Sequence, residues 1–417
     1  MEALPVDLLL DVVARSDDAA TVVRCAAASK PLRRAVLEPA FRRRLAARRA
    51  AANGGGFDPA LLLAVSYRLD EHGDGGEDRI VVEPSRRLGL DGNLLLPSVP
   101  ACSRDGLLVL WRNQELKRGS PCFRYRYQVD VDVRVCNTLT GHVTSLPRAG
   151  LSLGFGTRGV YRSALLTAVD GAGRRCFELL VMDQYMDAQT FSSKDGKWGA
   201  VRHVFVPSHH GRILTKETYN SPAAAVVGRT VHWLCLVAQE PLFDDHDQAA
   251  DVIILALHAD DAVGATAIEL PRGCRRIMEC ARLDGTAEGL LLAATAEGTR
   301  LSLLAGEPFV ISMWTRSPEE GPSSSRWSRQ VVIRRHEIDG GRKLAAGLHD
   351  KVRFEGFGER SGAVVLWMER VGLVQLNLET KKAAVLRRCS HRDTSVVEWA
   401  CLHEMDLVSL LGDMKVF

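Results

Sequence analysis

A chain of 417 residues with 46% hydrophobic and 25% charged residues has the balance of a soluble globular protein large enough for more than one folding unit. A net charge of +3 and a pI near 8.3 give no ground for a nucleic-acid or membrane-surface partner. Ten cysteines spread singly along the chain form no disulfide framework, which points to reduced thiols. No apolar run is long enough to span a bilayer. Glu2 and Asp7 stand where a secretory leader carries positive charge, so the expected location is the cytosol, the nucleus or both.

The first fifty residues predict short helices. Pro5 suits a first helical turn and Asp7 favours the positive end of the helix dipole. Leu8, Leu9, Val12 and Val13 then recur at i, i+1, i+4 and i+5, one broad apolar face. Ser16-Asp17-Asp18 closes this helix, and a second, over 19–28, carries Val22, Val23, Cys25 and Ala26. Ser29 caps a third, with Pro31 in its first turn and Leu32, Ala35 and Val36 as its stripe. Pro39 opens a fourth with Phe41 and Leu45. So small a unit cannot hide all of these faces within itself, and another polypeptide is the natural cover. The competing expectation is a helical cap with Leu8, Leu9 and Val12 packed inward.

Asn53-Gly54-Gly55-Gly56 and Asp58-Pro59 mark a linker over 51–60. From residue 61 to 417 the chain reads as all-β. Strand-length apolar runs fall at 61–67, 79–82, 107–111, 129–135, 164–169, 177–182 and 201–206. Others follow at 231–237, 252–257, 290–293, 331–334, 364–368 and 373–378. Such spacing predicts a propeller or a large sandwich. Glycine followed by a strand ending in tryptophan recurs in Gly228–Trp233 and Gly362–Trp367, favouring the propeller. Trp111, Trp233, Trp314, Trp367 and Trp399 are expected in its core. The predicted class is therefore α+β multidomain, a small helical module before a large all-β domain.

Leu4-Pro5-Val6-Asp7-Leu8-Leu9, Val12-Val13, Arg24-Cys25, Ser29-Lys30 and Pro39-Ala40-Phe41, in that order, resemble an F-box, with Leu32 near where that family carries a tryptophan. Three later phrases resemble the F-box-associated domain that follows plant F-boxes. They are Val135-Cys-Asn137-Thr-Leu-Thr140-Gly141 with Leu146-Pro147, Phe191-Ser192-Ser193 with Gly196 and Trp198, and the tail Glu404–Val408 to Met414, read as a closing strand. The resemblance implies a substrate-receptor subunit of a cullin-based ubiquitin ligase. Leu4, Pro5, Leu8, Leu9, Val12, Val22, Leu32 and Phe41 would meet a Skp-type adaptor, and through it a cullin, while the β domain holds an unknown protein target. It implies no catalytic residue, cofactor or metal. The alternative is a standalone propeller that binds partners and wears its helices as a cap.

Other motifs weigh little. Gly150-Leu-Ser152-Leu-Gly154 has the form of a nucleophile elbow, but no helix is expected after it. Gly154-Phe-Gly156-Thr-Arg-Gly159 matches a dinucleotide loop with the same defect. Cys389-x-His391 and Cys401-x-His403 offer four zinc-ligand types at unusual spacing. His209-His210 reads as an exposed turn, and the basic run from Arg42 to Arg49 as a solvated helix face. The segments 72–78, 244–251 and 317–325 read as surface insertions.

Overall fold

The computed structural model describes residues 5–15, 22, 25–26, 29–38, 40–41, 44, 57–70, 79–83, 95, 97–113, 131–138, 140–151, 162–169, 175–183, 185–206, 212–214, 224–238, 251–260, 264–274, 289–295, 298–317, 326–338, 351–389 and 396–405. Helix α1 spans Val6–Ala14 and helix α2 spans Lys30–Leu37. Val22, Cys25 and Ala26, and then Ala40, Phe41 and Arg44, are also helical, where the second and fourth helices are expected.

Beyond them lies a six-bladed β-propeller. Strands β1 (Leu62–Asp70) and β2 (Arg79–Glu83) begin the blade that the last strand will close. Blade one is β3 (Val99–Arg104), β4 (Leu107–Asn113), β5 (Val131–Asn137) and β6 (Val143–Ser145). Blade two holds β7 (Arg162–Val169), β8 (Arg175–Met182), β9 (Asp187–Ser192), β10 (Lys197–Trp198) and β11 (Arg202–His203). Blade three holds β12 (Arg212–Leu214), β13 (Ala225–Val227), β14 (Thr230–Ala238), β15 (Asp251–His258) and β16 (Ala265–Glu269). Blade four is β17 (Leu290–Thr295), β18 (Arg300–Gly306), β19 (Val310–Arg316) and β20 (Trp327–Arg334). Blade five is β21 (Val352–Phe357), β22 (Ala363–Met368), β23 (Gly372–Asn377) and β24 (Ala383–Arg388). Strand β25 (Val396–Glu404) pairs antiparallel with β1, Val65 facing Leu402 and Tyr67 facing Ala400, and completes blade six. Strand β25 ends at Glu404, the first residue of the tail expected to close the domain; residues 406–417 of that tail lie outside the described ones.

Strands β3, β7, β13, β17, β21 and β25 touch in succession and ring the axis. Each pair of neighbouring blades traps its own apolar cluster. Leu179 and Val181 of β8 face blade one, while Leu180 and Met182 face blade three. Strands buried on both sides need apolar residues at consecutive positions, which is why they read as continuous apolar runs rather than alternating ones. Trp111, Trp233 and Trp399 are buried between blades as expected, and Trp314 and Trp367 are half-buried there.

One turn recurs. Asn137, Ser192 and Asn377 each end the third strand of a blade, and each side-chain oxygen accepts a backbone N–H three residues on, from Thr140 (3.2 Å), Asp195 (3.2 Å) and Thr380 (2.8 Å). The residue after that, Gly141, Gly196 or Lys381, has positive φ (70°, 66° and 54°).

The helices do not stand apart. Val13, Ala14, Val22, Ala26, Leu32, Val36 and Phe41 share one core with Leu63 of β1 and Met405 just after β25. Phe57, from the expected linker, meets Phe357 edge-on at 5.9 Å, and the Asp58 N–H reaches the Arg360 carbonyl at 2.9 Å. The separate helical module expected from the sequence is therefore packed on the propeller, because the helices take Leu63 and Met405 to complete their interior.

Candidate functional site: the outward stripe of the first helix

Pro5 precedes α1 with φ −53° and ψ 140°, giving up no N–H bond there, and Asp7 lies in the first turn. The helix ends where the Arg15 N–H meets the Asp11 and Val12 carbonyls at 3.2 and 3.1 Å. Ser29 caps α2, its Oγ accepting the Leu32 N–H at 3.5 Å, with Pro31 in the first turn as expected. Arg44 holds the outer surface together. Its guanidinium pairs with Asp11 at 3.0 Å and lies 5.5 Å from the centre of the Phe41 ring.

The apolar face of α1 divides in two. Leu9, Leu10, Val13 and Ala14 turn inward. Pro5, Leu8 and Val12, at i, i+3 and i+7, face water, with Leu8 53% and Val12 66% exposed and Val6 37% exposed beside them. Of the residues expected to meet an adaptor, Pro5, Leu8 and Val12 are exposed and Leu9 is half-buried. Val22, Leu32 and Phe41 are buried in the shared core, where they shape the helices. Leu4 lies outside the described residues. Helical periodicity alone put Leu8, Leu9, Val12 and Val13 on one face, because it cannot reveal where the propeller lies.

The remaining sequence motifs fall as follows. Ser152, residues 154–159, His209, His210 and His391 lie outside the described residues, as do 72–78, 244–250 and 318–325. Cys389 is exposed and Cys401 is buried. His403 is sealed from solvent, within 2.8 Å of the Ser66 hydroxyl across the β1–β25 pair. Burial pushes His403 down to about 4 and the Cys401 thiol up to about 12, so both stay neutral. Among the described residues no three histidine, cysteine or acidic side chains converge as a metal site requires. No helix among them is long and apolar enough to cross a membrane.

A second polar assembly was not foreseen. Asp105, at φ 49° in the β3–β4 turn, accepts the Thr167 hydroxyl and pairs with Arg360 Nε at 2.5 Å. Arg104 of β3 pairs with Glu359 at 3.1 Å. Glu404 accepts the backbone N–H groups of Ser361 (2.7 Å) and Arg360 (3.2 Å). Burial works against charge on Asp105, but Arg360 outweighs it and holds the carboxyl below its usual range. Burial raises Glu404, and it pushes Glu359 up to about 7 against the pull of Arg104, helped by Glu404 and Asp105. Asp105 and Arg360, paired directly, lie 255 positions apart, so no local pattern could have announced them.

Residues 64–417 match a family model described as a domain of unknown function, DUF7595. No curated protein matches the sequence. Similar solved structures include a prolyl endopeptidase (10% identity, TM-score 0.29), of whose length the match covers 34% against 67% of this chain. Another is oligogalacturonate lyase from Vibrio parahaemolyticus (9% identity, TM-score 0.34, 78% of this chain and 86% of that one). A third is the β-propeller domain of Myceliophteria thermophila Cps50 (Swd1) (12% identity, TM-score 0.35, 71% and 89%).

Proposed function

The chain belongs to the DUF7595 family, and from the propeller that this family's model covers, with helices added in front of it, we propose a bridging protein. On this reading the helices dock on a Skp-type adaptor and so on a cullin, while the propeller holds a target protein for ubiquitin transfer. The chain itself contributes proximity rather than chemistry. The observation that carries the reading is the Pro5, Leu8 and Val12 stripe, left facing water by helices whose interior is already filled. The order of F-box-like residues from Leu4 to Phe41 supports it.

The test is co-purification of the full chain with a Skp-type adaptor. Wild type is expected to retain the adaptor, and a Leu8→Asp, Val12→Asp double variant to lose it. Equal retention by both, or by neither, overturns the reading. The shared core with Leu63 and Met405 favours a second reading, a standalone interaction propeller capped by its helices. That reading predicts a monomer that binds no adaptor.

A further inference from the structure

Blades one to five each end on an outer strand, and most of these strands are short. β6 has three residues, β10 and β11 two each, β16 five and β24 six. β20 has eight, and among the described residues no strand pairs with its outer edge. Every second backbone N–H and C=O along it therefore points away from β19. Ser328, Arg329, Gln330 and Val331 are exposed in a row, and Arg334 is exposed at the end. Both ends of the strand are anchored. The Trp327 indole N–H donates to the Glu269 carbonyl of blade three at 3.3 Å. Arg335, just past the strand, is buried and donates to the Glu307 and Pro308 carbonyls at 3.3 and 2.9 Å. That clamp fixes the β18–β19 turn and leaves Phe309 60% exposed, with Val331 41% exposed on the strand itself.

We propose that β20 is a docking edge for an extended, acidic segment of a partner protein, which adds to blade four as a fifth strand. This rests on the reading of the propeller as the part that holds a target, and it names the edge and the chemistry of that target. A long unpaired edge is a template for another chain, and folded proteins ordinarily keep such edges short. An added strand takes up the outward N–H and C=O groups, and Phe309 and Val331 offer it apolar contact from a rigid support.

Charge selects the occupant. From Gly321 to His336 the chain has four arginines and no acidic residue. Arg329 is held by Glu307 at 2.6 Å, while Arg326 and Arg334 stand exposed at the two ends of the strand. Glu337, in the short helix Arg335–Ile338, is the exposed acid that follows. A second copy of this chain would bring a second row of arginines against the first, whichever way its strand ran, so self-pairing is disfavoured. Carboxylates spaced along an extended segment meet those arginines instead.

The probe is a fluorescein-labelled peptide of about ten residues alternating glutamate and valine, titrated into the full-length chain. Fluorescence polarisation reads binding, and amide hydrogen exchange reads where it occurs. Saturable binding that weakens with salt is expected, with exchange slowed over 327–334. An Arg326→Glu, Arg334→Glu double variant is expected to keep its melting temperature and to bind at least about tenfold more weakly. The same peptide N-methylated throughout, which cannot donate along an edge, is expected not to bind wild type. Equal binding of that peptide, or of a single-stranded oligothymidine, would show attraction by charge alone and overturns the proposal. So does the absence of binding by the glutamate peptide, or protection that spares 327–334. Adaptor co-purification reads the helices, so the two proposals fail separately.

Discussion

The indole N–H of Trp198 donates to the carbonyl oxygen of Pro147 at 2.7 Å, tying blade two to the end of blade one. Both residues belong to phrases that stand out in the sequence, Leu146-Pro147 and the Ser192–Trp198 hairpin. The indole also meets the Phe191 ring at 5.4 Å, and Leu146 and Phe191 share the cluster between the two blades. Trp198→Phe keeps most of the ring contact and loses the hydrogen bond. Its expected cost is about 1 kcal/mol in urea unfolding. A change below about 0.3 kcal/mol would show the bond to be replaced by solvent.

The two faces of α1 give opposite mutational signatures. Leu8→Asp and Val12→Asp sit in water and are expected to leave stability within about 0.5 kcal/mol of wild type while removing partner binding. Val13→Asp buries an unpaired carboxylate in the helical core and is expected to cost at least 3 kcal/mol or so. Circular dichroism melts beside the adaptor pull-down separate loss of a surface from loss of a fold.

Two buried histidines make the protein acid-sensitive. Burial holds His403 and His232 down at about 4 from an ordinary value near 6.5. The unfolded chain therefore binds protons that the folded one refuses. This stability is fully present above about pH 6.5 and is lost as pH falls toward 4, by at most about 3 kcal/mol for each. His403→Gln is expected to flatten the stability profile between those pH values. An unchanged slope would mean that His403 gains solvent before it titrates.

Glu359 acts in the opposite sense. Its folded-state value near 7 exceeds the ordinary 4.5, so the folded chain holds the proton longer. The contribution is complete below about pH 4.5 and disappears as pH rises to 7, again by about 3 kcal/mol at most. Glu359→Gln should therefore be closest to wild type in acid and gain on it toward neutral pH, measured by denaturant midpoints across the range.

Gly372, at φ 108°, is the first residue of β23, straight after the tight turn that joins it to β22. A Cβ there would run into the Arg387 carbonyl oxygen of β24, next to the bulge between Leu373 and Val374. Gly372→Ala is expected to cost more than about 3 kcal/mol, whereas Gly196→Ala, with φ 66° and open space around it, should cost about 1 kcal/mol. Paired urea titrations compare the two directly.

Long strands sandwiched between blades were legible because both of their faces are apolar. Leu179 to Met182 and Leu290 to Ala293 announce themselves as runs. Some short strands were not: the triplets Arg212–Leu214 and Ala225–Val227 are too short to show a period, and within the run expected over 201–206 only Arg202–His203 forms a strand. The inner strand Val99–Arg104 contains Pro100 and two polar residues, which masks it. At the N-terminus the helices were legible from Pro5 and Ser29, but which apolar residues face out was set by Leu63 and Met405, far along the chain. The Arg104, Glu359 and Glu404 assembly exists only because ring closure gathers blades one, five and six.

The pairing of β1 with β25 has a consequence for synthesis. Strand β25 is the last of the six inner strands to leave the ribosome, and it supplies Trp399 and Cys401 to one seam and Val397 and Leu402 to the other. A nascent chain halted before Val396 would keep two oily flanks bare, on blades one and five, and would leave the helices without Met405 to rest on. Truncated products should therefore be sticky and short-lived, so the fold carries its own proofreading for completed translation.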